Sequence, residues 1–501
     1  MVQLTILRFL EIISSKNKNM SSQILYLAKK KRLVGLFVLA SVAILFLVIP
    51  DLVGIEIALP LKLTSLGLLA VYVLLSFEIV HRTTIAMVGA TFVIIIGITT
   101  GLFDASMSLE FAISSIDFNT IGLLLGMMII VAILGETGIF EYLGLRMSKA
   151  SKGNLWRLMV MFCVFTAIVS MFIDNVTTVL LIVPITISIF RTLRISPIPF
   201  IIAQVLASNV GGTATLIGDP PNILIGSAAN IDFNSFIINM GPTVAVSLLA
   251  SLFILKFQFR KDLAQKPHNL EELLSQDEKV LIKNRSVLKK SLAVLTAVII
   301  LFVIHGSINI EPSIIALSGA GILMLVAKSR PEHILNQVDW ATLIFLAGLF
   351  IIISGAEKAG LIELLSNAAL QISGGNPWVL FFIIIWLSAI ASAFIDNIPF
   401  AATMIPVISA ISNTESITAV FGSLAISPLW WALSLGVGFG GNGTLVGSSA
   451  GIVATGLAEL KGFKIGFNKF LRVGFPFMIA SVAVGSIVLL IDVLIRLNLA
   501  A

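Results

Sequence analysis

Apolar runs recur along this chain at the length that crosses a bilayer, and they constrain the fold more than any other feature. A transmembrane helix needs about 20 mostly apolar residues. Such runs lie near 33–50, 64–80, 84–103, 119–135, 236–257, 291–309, 312–327, 340–356 and 473–491. Between them fall four apolar stretches broken by Asp, Asn, Gly and Pro, at 156–190, 199–226, 378–411 and 427–457. Of the 501 residues 58% are hydrophobic and 12% charged, about half the charge of a soluble domain. A soluble enzyme and a nucleic-acid binder are excluded. The single cysteine, Cys163, rules out an internal disulfide, a thiolate cluster or a CxxC pair. His81, His268, His305 and His333 stand singly without metal-ligand spacing. The chain is predicted to be an all-α polytopic membrane protein. The run 33–50 follows a basic leader, 1–32, and ends at Pro50-Asp51 without a small-residue cleavage site. It is read as a retained helix, with Met20 a second candidate start.

The chain also repeats itself. At a shift of 222 residues Asp117, Thr120 and Gly126 fall on Asp339, Thr342 and Gly348, and Gly138 and Glu141 on Gly360 and Glu363. The tetrad Phe172-Ile173-Asp174-Asn175 meets Phe394-Ile395-Asp396-Asn397, and Pro184 meets Pro406. After seven extra residues Gly211-Gly212, Thr215-Leu216 and Gly218 match Gly440-Gly441, Thr444-Leu445 and Gly447. The expected organisation is a leader (1–32), a lead helix with an outer loop (33–59), repeat A (60–257), a linker (258–290) and repeat B (291–495). Repeat A carries a hairpin at 156–190 and a broken helix at 199–226; repeat B carries them at 378–411 and 427–457.

Each copy has three plain helices, an apolar pair split by Asp-Asn, one interrupted segment and a final helix. The split pair counts as zero or two crossings, so each copy crosses an odd number of times and the two copies are inverted, as in many secondary transporters. With the N-terminus cytoplasmic, about eleven crossings and both split pairs treated as re-entrant hairpins, 29 of the 32 Lys and Arg fall on the cytoplasmic side. Only Lys62, Lys358 and Arg496 do not, as the positive-inside rule requires. The C-terminus is then outside, and the net charge of +6 is a topology signal. The linker, which mixes both signs, reads as an inter-repeat loop or surface helix.

Non-helical backbone survives at membrane depth only where it is buried in protein or lines a wet cavity. Four such places are written here. Two are hairpin tips, with Asp174, Asn175 and Thr177 in the first and Asp396 and Asn397 in the second. Two are breaks in spanning helices. Asn209, Gly212, Thr213, Thr215, Asp219 and Asn222 lie in the first; Gly441, Asn442, Thr444 and Ser448 lie in the second. Glycine permits close turns and Pro220-Pro221 stops the helix. The freed carbonyls and Asn, Thr and Ser side chains offer oxygen ligands to a hard cation. A carboxylate at the bilayer centre costs about 2.5–3.5 kcal/mol and is functional by default. The plain alternative is that each Asp caps a half-helix. Identical placement in both copies favours Asp174 and Asp396 as a cation or proton site, with Na⁺ or H⁺ as coupling ion and no other cofactor. Asp219 faces Ser448 in the other copy and is the asymmetric coupling candidate. A carboxylate dyad of Asp174 and Asp396 would make an intramembrane aspartyl hydrolase, but duplicated hairpins and breaks argue for a transporter and against an enzyme.

Weaker signals are discounted. Gly436-Val437-Gly438-Phe439-Gly440-Gly441 fits G-x-G-x-x-G without the strand–turn–helix unit a dinucleotide site needs. No G-K-[ST] follows any glycine run, so the chain carries no ATPase of its own. Glu78 and Glu136 lie near helix ends, Trp430-Trp431 reads as an interface anchor, and Cys163 as a small apolar residue.

The string NVGGTATLIGDPPNILIG from Asn209, preceded by FIDNVTTVLLIVPITI, resembles the arsenite permease and albinism P-protein branch of the ion transporter superfamily. SAFIDNIPFAATMIP and GFGGNGTLVGSSAGIVA resemble that family's second copy. The likeness covers nearly the whole chain after residue 60. It implies paired re-entrant hairpins, a scaffold and a transport domain, elevator movement and a homodimer in the plasma or inner membrane. It also implies a substrate among arsenite, sodium exchanged for protons, citrate-like carboxylates or sulfate. An arsenite pump would add a separate ATPase subunit. Carboxylate importers of the superfamily carry Ser-Asn-Thr at the tips; Asp174 and Asp396 stand in place of that serine. That departure lowers the organic-anion reading in favour of cation or proton exchange, or a neutral solute such as arsenous acid.

Overall fold

The computed structural model describes residues 58–76 and 80–500. The leader, the lead helix at 33–50, Met20 and Glu78 lie outside the described residues. Those described are helical, with no strand among them. The principal helices are α1 (Leu59–Ser76), α2 (Arg82–Thr99), α3 (Phe118–Glu136), α4 (Ile139–Ala150), α5 (Leu155–Ser170) and α6 (Asn175–Thr192). Then come α7 (Ile198–Gly212), α8 (Pro220–Ala229), α9 (Phe233–Gln258), α10 (Arg285–Ile308), α11 (Pro312–Ala327) and α12 (Trp340–Lys358). The last six are α13 (Leu361–Ile372), α14 (Pro377–Phe394), α15 (Asn397–Ser412), α16 (Pro428–Gly440), α17 (Ser449–Leu460) and α18 (Phe467–Ala500).

Nine helices among the described residues are long and apolar enough to cross a membrane, and a tenth if Asn397–Ser412 and Glu415–Phe421, bent by 82°, count as one span. The protein is therefore polytopic and all-α. The stretches 199–226 and 427–457 do not appear among the nine, because each is split into two helices too short to span alone. In α10 only 17% of the spanning window is buried; an apolar helix so exposed is what a lipid-facing position requires.

The chain divides into two compact units, one holding the described residues up to Ala112 with Ile351–Leu361, the other holding the remainder. In the first, a Cβ on Gly89 would lie 2.8 Å from Ile352 and 2.9 Å from Val71, so the glycine lets α1, α2 and the end of α12 close up. There Phe103 stacks on Phe111 with centroids 4.5 Å apart, and the Lys358 ammonium lies 4.8 Å from the Phe111 ring, a cation–π contact.

In the second unit α3 packs on α11, α5 on α7, α14 on α16 and α9 on α18. Two further pairings cross between distant segments: α17 packs on α6, and α8 packs on α15. Trp430 and Trp431 are buried, and Trp431 sits edge-on to Phe236 at 5.1 Å. The expected interface anchor is thus a core residue, because α16 is enclosed by α7, α8, α9, α14, α15 and α18. Cys163 is buried, as a small apolar residue would be.

The 258–290 linker is docked rather than loose. Lys149 Nζ lies 2.6 Å from Glu278 Oε2 and also donates to the Gln276 carbonyl. The Lys283 N–H donates to the Thr137 carbonyl (3.0 Å) and the His268 N–H to the Leu193 carbonyl (3.3 Å). The Lys149 hydrogen bond holds the Glu278 carboxyl below its ordinary value. A carboxyl so depressed stabilises docking above the ordinary glutamate value of about 4.3 and loses that contribution as pH falls through its own lower value. Gly138 has φ +82°, and a Cβ there would stand 1.9 Å from the Leu281 oxygen. Gly138→Ala is expected to undock the linker at a cost of about 1–3 kcal/mol, read as faster trypsin cleavage between 258 and 290. Acidification below about pH 4 should release the same segment in the parent protein.

Candidate functional site

Each Asp-Asn tip is made by a helix N-cap. Asp174 accepts the Thr177 N–H at 2.9 Å with one oxygen and the Thr177 hydroxyl at 2.5 Å with the other. Asp117 with Thr120 (3.1 and 2.6 Å) and Asp339 with Thr342 repeat that Asp-x-x-Thr cap at the starts of α3 and α12. Asp396 departs from it, because the third residue of its helix is Pro399. With neither N–H nor hydroxyl there, Asp396 accepts the Ile398 N–H at 3.2 Å and takes its hydroxyl from Ser449 at 2.5 Å. Ser449 opens α17, where the first break has Pro220. The hydroxyl and the proline have changed places between the two tip-and-break sets.

The breaks are tied to their hairpins in matching fashion. Thr215 donates its hydroxyl to the Met171 carbonyl and accepts the Ile217 and Gly218 N–H groups at 3.3 and 3.1 Å. Thr444 donates to the Ala393 carbonyl at 2.5 Å and accepts the Val446 N–H at 3.2 Å. Asn222 fastens the first break through the carbonyls of Gly212 (3.2 Å) and Thr215 (2.9 Å), and Ser434 donates to its oxygen at 2.7 Å. The Thr213 hydroxyl turns back to the Asn209 carbonyl at 2.8 Å. A Cβ on Gly218 would lie 2.4 Å from the Ser170 oxygen and 2.5 Å from the Gly212 oxygen; one on Gly447 would lie 2.7 Å from the Ser392 oxygen. These glycines let the break backbone press against the hairpin helix.

What converges is a smaller set. Asn397 Nδ2 lies 3.2 Å from both oxygens of Asp219. Asn175 Nδ2 donates to Asp219 Oδ1 at 3.3 Å and to Asn209 Oδ1 at 3.1 Å. Ser448 Oγ donates to Asn209 Oδ1 at 2.9 Å, and Asn209 Nδ2 donates to Asn442 Oδ1 at 3.0 Å. A Cβ on Gly441 would sit 3.2 Å from the Ser448 side chain and 3.6 Å from Asn209 Nδ2, so a glycine there keeps the amides in contact. Asp219 is 1% exposed, and Asn209 and Asn442 are fully buried. Asn442 Nδ2 has no hydrogen-bond partner, a buried orphan that costs about 1–3 kcal/mol.

Of the residues singled out from sequence, Asn175, Asn209, Asp219, Asn397, Asn442 and Ser448 meet in one network. Asp174 and Thr177 are engaged in a cap, and Thr213, Thr215, Asn222 and Thr444 hold the breaks open. Asp174 is bound within its own tip, whereas Asp396 ties its tip to the start of α17. Among the described residues no group of three or more His, Cys, Asp and Glu could hold a metal ion. Three hydroxyls escaped the sequence reading: Ser434, Ser208, which bonds Ser170 at 3.1 Å, and Ser170 itself. Ser170 lies 222 residues before Ser392, so the repeat register carried that signal.

The citrate transporter (CitMHS) family profile matches residues 72–436. The chain belongs to that family. It is 39% identical to an uncharacterized transporter of Mycobacterium tuberculosis over 84% of this chain and 96% of that protein. It is 35% identical to the P protein of Mus musculus over 85% of this chain and 59% of that protein. Among solved structures it is similar to the Alcanivorax borkumensis YdaH transporter, with a TM-score of 0.54 and 14% identity over 82% of this chain and 98% of that one. This member of the family is a multi-pass membrane transporter.

Two substitutions separate the roles. Thr177→Val should lower stability in detergent by about 0.5–1.5 kcal/mol and leave the tip folded. Gly218→Ala drives a carbon into two carbonyl oxygens and should cost more, about 1–3 kcal/mol. Thermal unfolding of the purified variants gives the order.

Proposed function

We propose that this family member is a proton- or sodium-coupled secondary transporter in which Asp219 binds the coupling ion. One observation carries the reading. A buried carboxyl stands between the amides of both hairpin tips, and no lysine, arginine or histidine among the described residues forms an ion pair with it. A lone carboxylate at membrane depth is unfavourable by about 2.5–3.5 kcal/mol, so a proton or small cation neutralises it during the cycle. The two amides serve either state: they donate to the ionised carboxylate, and one can rotate away when a proton or ion arrives.

Asp174 and Asp396 act as positioning residues that hold Asn175 and Asn397 in place; a sodium ion shared by those two carboxylates is the weaker alternative. The substrate is a small oxygen-rich solute recognised by the Asn209–Asn442–Ser448 array, whose unpartnered Asn442 Nδ2 suits an acceptor oxygen. The family description favours a citrate-like carboxylate, admitted once Asp219 is neutral. An uncharged oxyacid such as arsenous acid fits the same donors. Elevator movement, a homodimer, a plasma- or inner-membrane location and a cytoplasmic N-terminus complete the reading, supported by the inverted-repeat pattern and the charge bias.

The test uses inside-out vesicles from a host lacking its own antiporters and arsenite pumps, acidified inside and followed with a pH dye. Na⁺, Li⁺, K⁺, citrate or arsenite is added singly. At least one should collapse the gradient, and Asp219→Asn should abolish the response while Asp174→Asn and Asp396→Asn retain part of it. A full response from Asp219→Asn would overturn the assignment.

A further inference from the structure

A cavity of about 360 Å³ opens at the N-terminal end of α9. The linker leaves from the C-terminal end of that 26-residue helix, so cavity and linker lie about 39 Å apart along it. The rim is polar: Asn230 and Glu311 are exposed, and Asp232 is half-buried. The floor is apolar, made by Leu123, Leu216 and Ile223, all buried. Leu216 lies in the break that holds Asp219 and Ile223 in the first turn of α8, so the cavity floor adjoins the loop that carries the proposed coupling residue. Gly226 seats that floor, since a Cβ there would stand 2.0 Å from Leu216 Cδ1.

The lining contains two carboxylates and no lysine or arginine. Asp232 caps α9 through the Ser235 N–H (2.8 Å) with one oxygen, leaving the other oxygen free of that bond. His305 accepts the Phe233 N–H at its Nε2 (3.2 Å), a bond that requires that nitrogen to be unprotonated. Arg496, which reaches the Ile238 carbonyl farther along α9 (3.4 Å), is paired with Asp492 at 2.7 Å. A concave, low-dielectric wall carrying one sign of charge concentrates counter-ions and raises their arrival rate.

We propose that this cavity is a cation-collecting vestibule, which concentrates small hydrated cations above the first break. The inference concerns access and stands apart from the identity of the ion at Asp219. Its test needs no transported substrate. Purified full-length protein in nanodiscs carries Ser227→Cys, or Ile310→Cys as a second position on the lining, and buried Cys163 gives a low background. Each thiol is titrated with a cationic and an anionic methanethiosulfonate, and the rate ratio is normalised to that of a small free thiol. Preference for the cationic reagent should reach about tenfold, the low end of electrostatic focusing, and fall to about threefold with Glu311→Gln. High salt should erase it. A normalised ratio near one at both positions, or a ratio indifferent to Glu311→Gln, would overturn the vestibule. So would two thiols that react only after denaturation.

Discussion

The contact on which the rest depends is the pair of amides that close on Asp219. One comes from the tip before α6 and the other from the tip before α15, and neither reaches the carboxyl unless both breaks are held in register. That register comes from neutral interactions: threonine hydroxyls on hairpin carbonyls, glycines where carbonyl oxygens crowd the backbone, and side-chain caps at each tip. The buried Asp219 carboxyl is thus surrounded by groups already satisfied, and Asn442 Nδ2 leaves the network one orphan donor.

The likeness of the two tip-and-break sets hides one exchange with large effect. Where the first set has Thr177 on the hairpin and Pro220 on the break, the second has Pro399 and Ser449. The second tip therefore borrows its hydroxyl from its own break, and α17 starts with donors that α8, opened by two prolines, does not have. Together with Asp219 facing Ser448, this leaves the breaks chemically unlike: one carries a carboxyl and few free N–H groups, the other hydroxyls and none of that charge.

Much of this was legible in the chain. Apolar run lengths gave the helical membrane class, and the Gly and Pro interruptions fall where α7 gives way to α8 and α16 to α17. The register between copies placed Asn175 and Asn397 as equivalents. Which carboxyl caps its own helix and which stands between the two tip amides was not legible, because one residue type serves both arrangements. Identical placement drew attention to Asp174 and Asp396, yet identical placement is also what a repeated cap produces. The asymmetric Asp219 is the one drawn to the centre. Trp430 and Trp431 misled for a similar reason: a tryptophan pair at a helix start reads as an interface anchor until the neighbours that enclose it are known. The docking of the linker on Lys149 and Thr137 involved pairings over a hundred residues apart, beyond what local pattern carries.

The crossed packing of α17 on α6 and α8 on α15 bears on how the protein is made. Asp219 and Asn397 are 178 residues apart, so at about 5–20 residues per second the carboxyl waits roughly 9 to 36 seconds for its second amide. During that interval the first tip and break stand in the bilayer before Asn397, Ser434, Asn442 and Ser448 are made. The apolar flanks of α7 and α8 must carry the unfavourable burial alone, with Asn175 already beside the carboxyl as its first companion. Closure of both amides on Asp219 is therefore a late event of biogenesis, and the first half of the chain is built to wait.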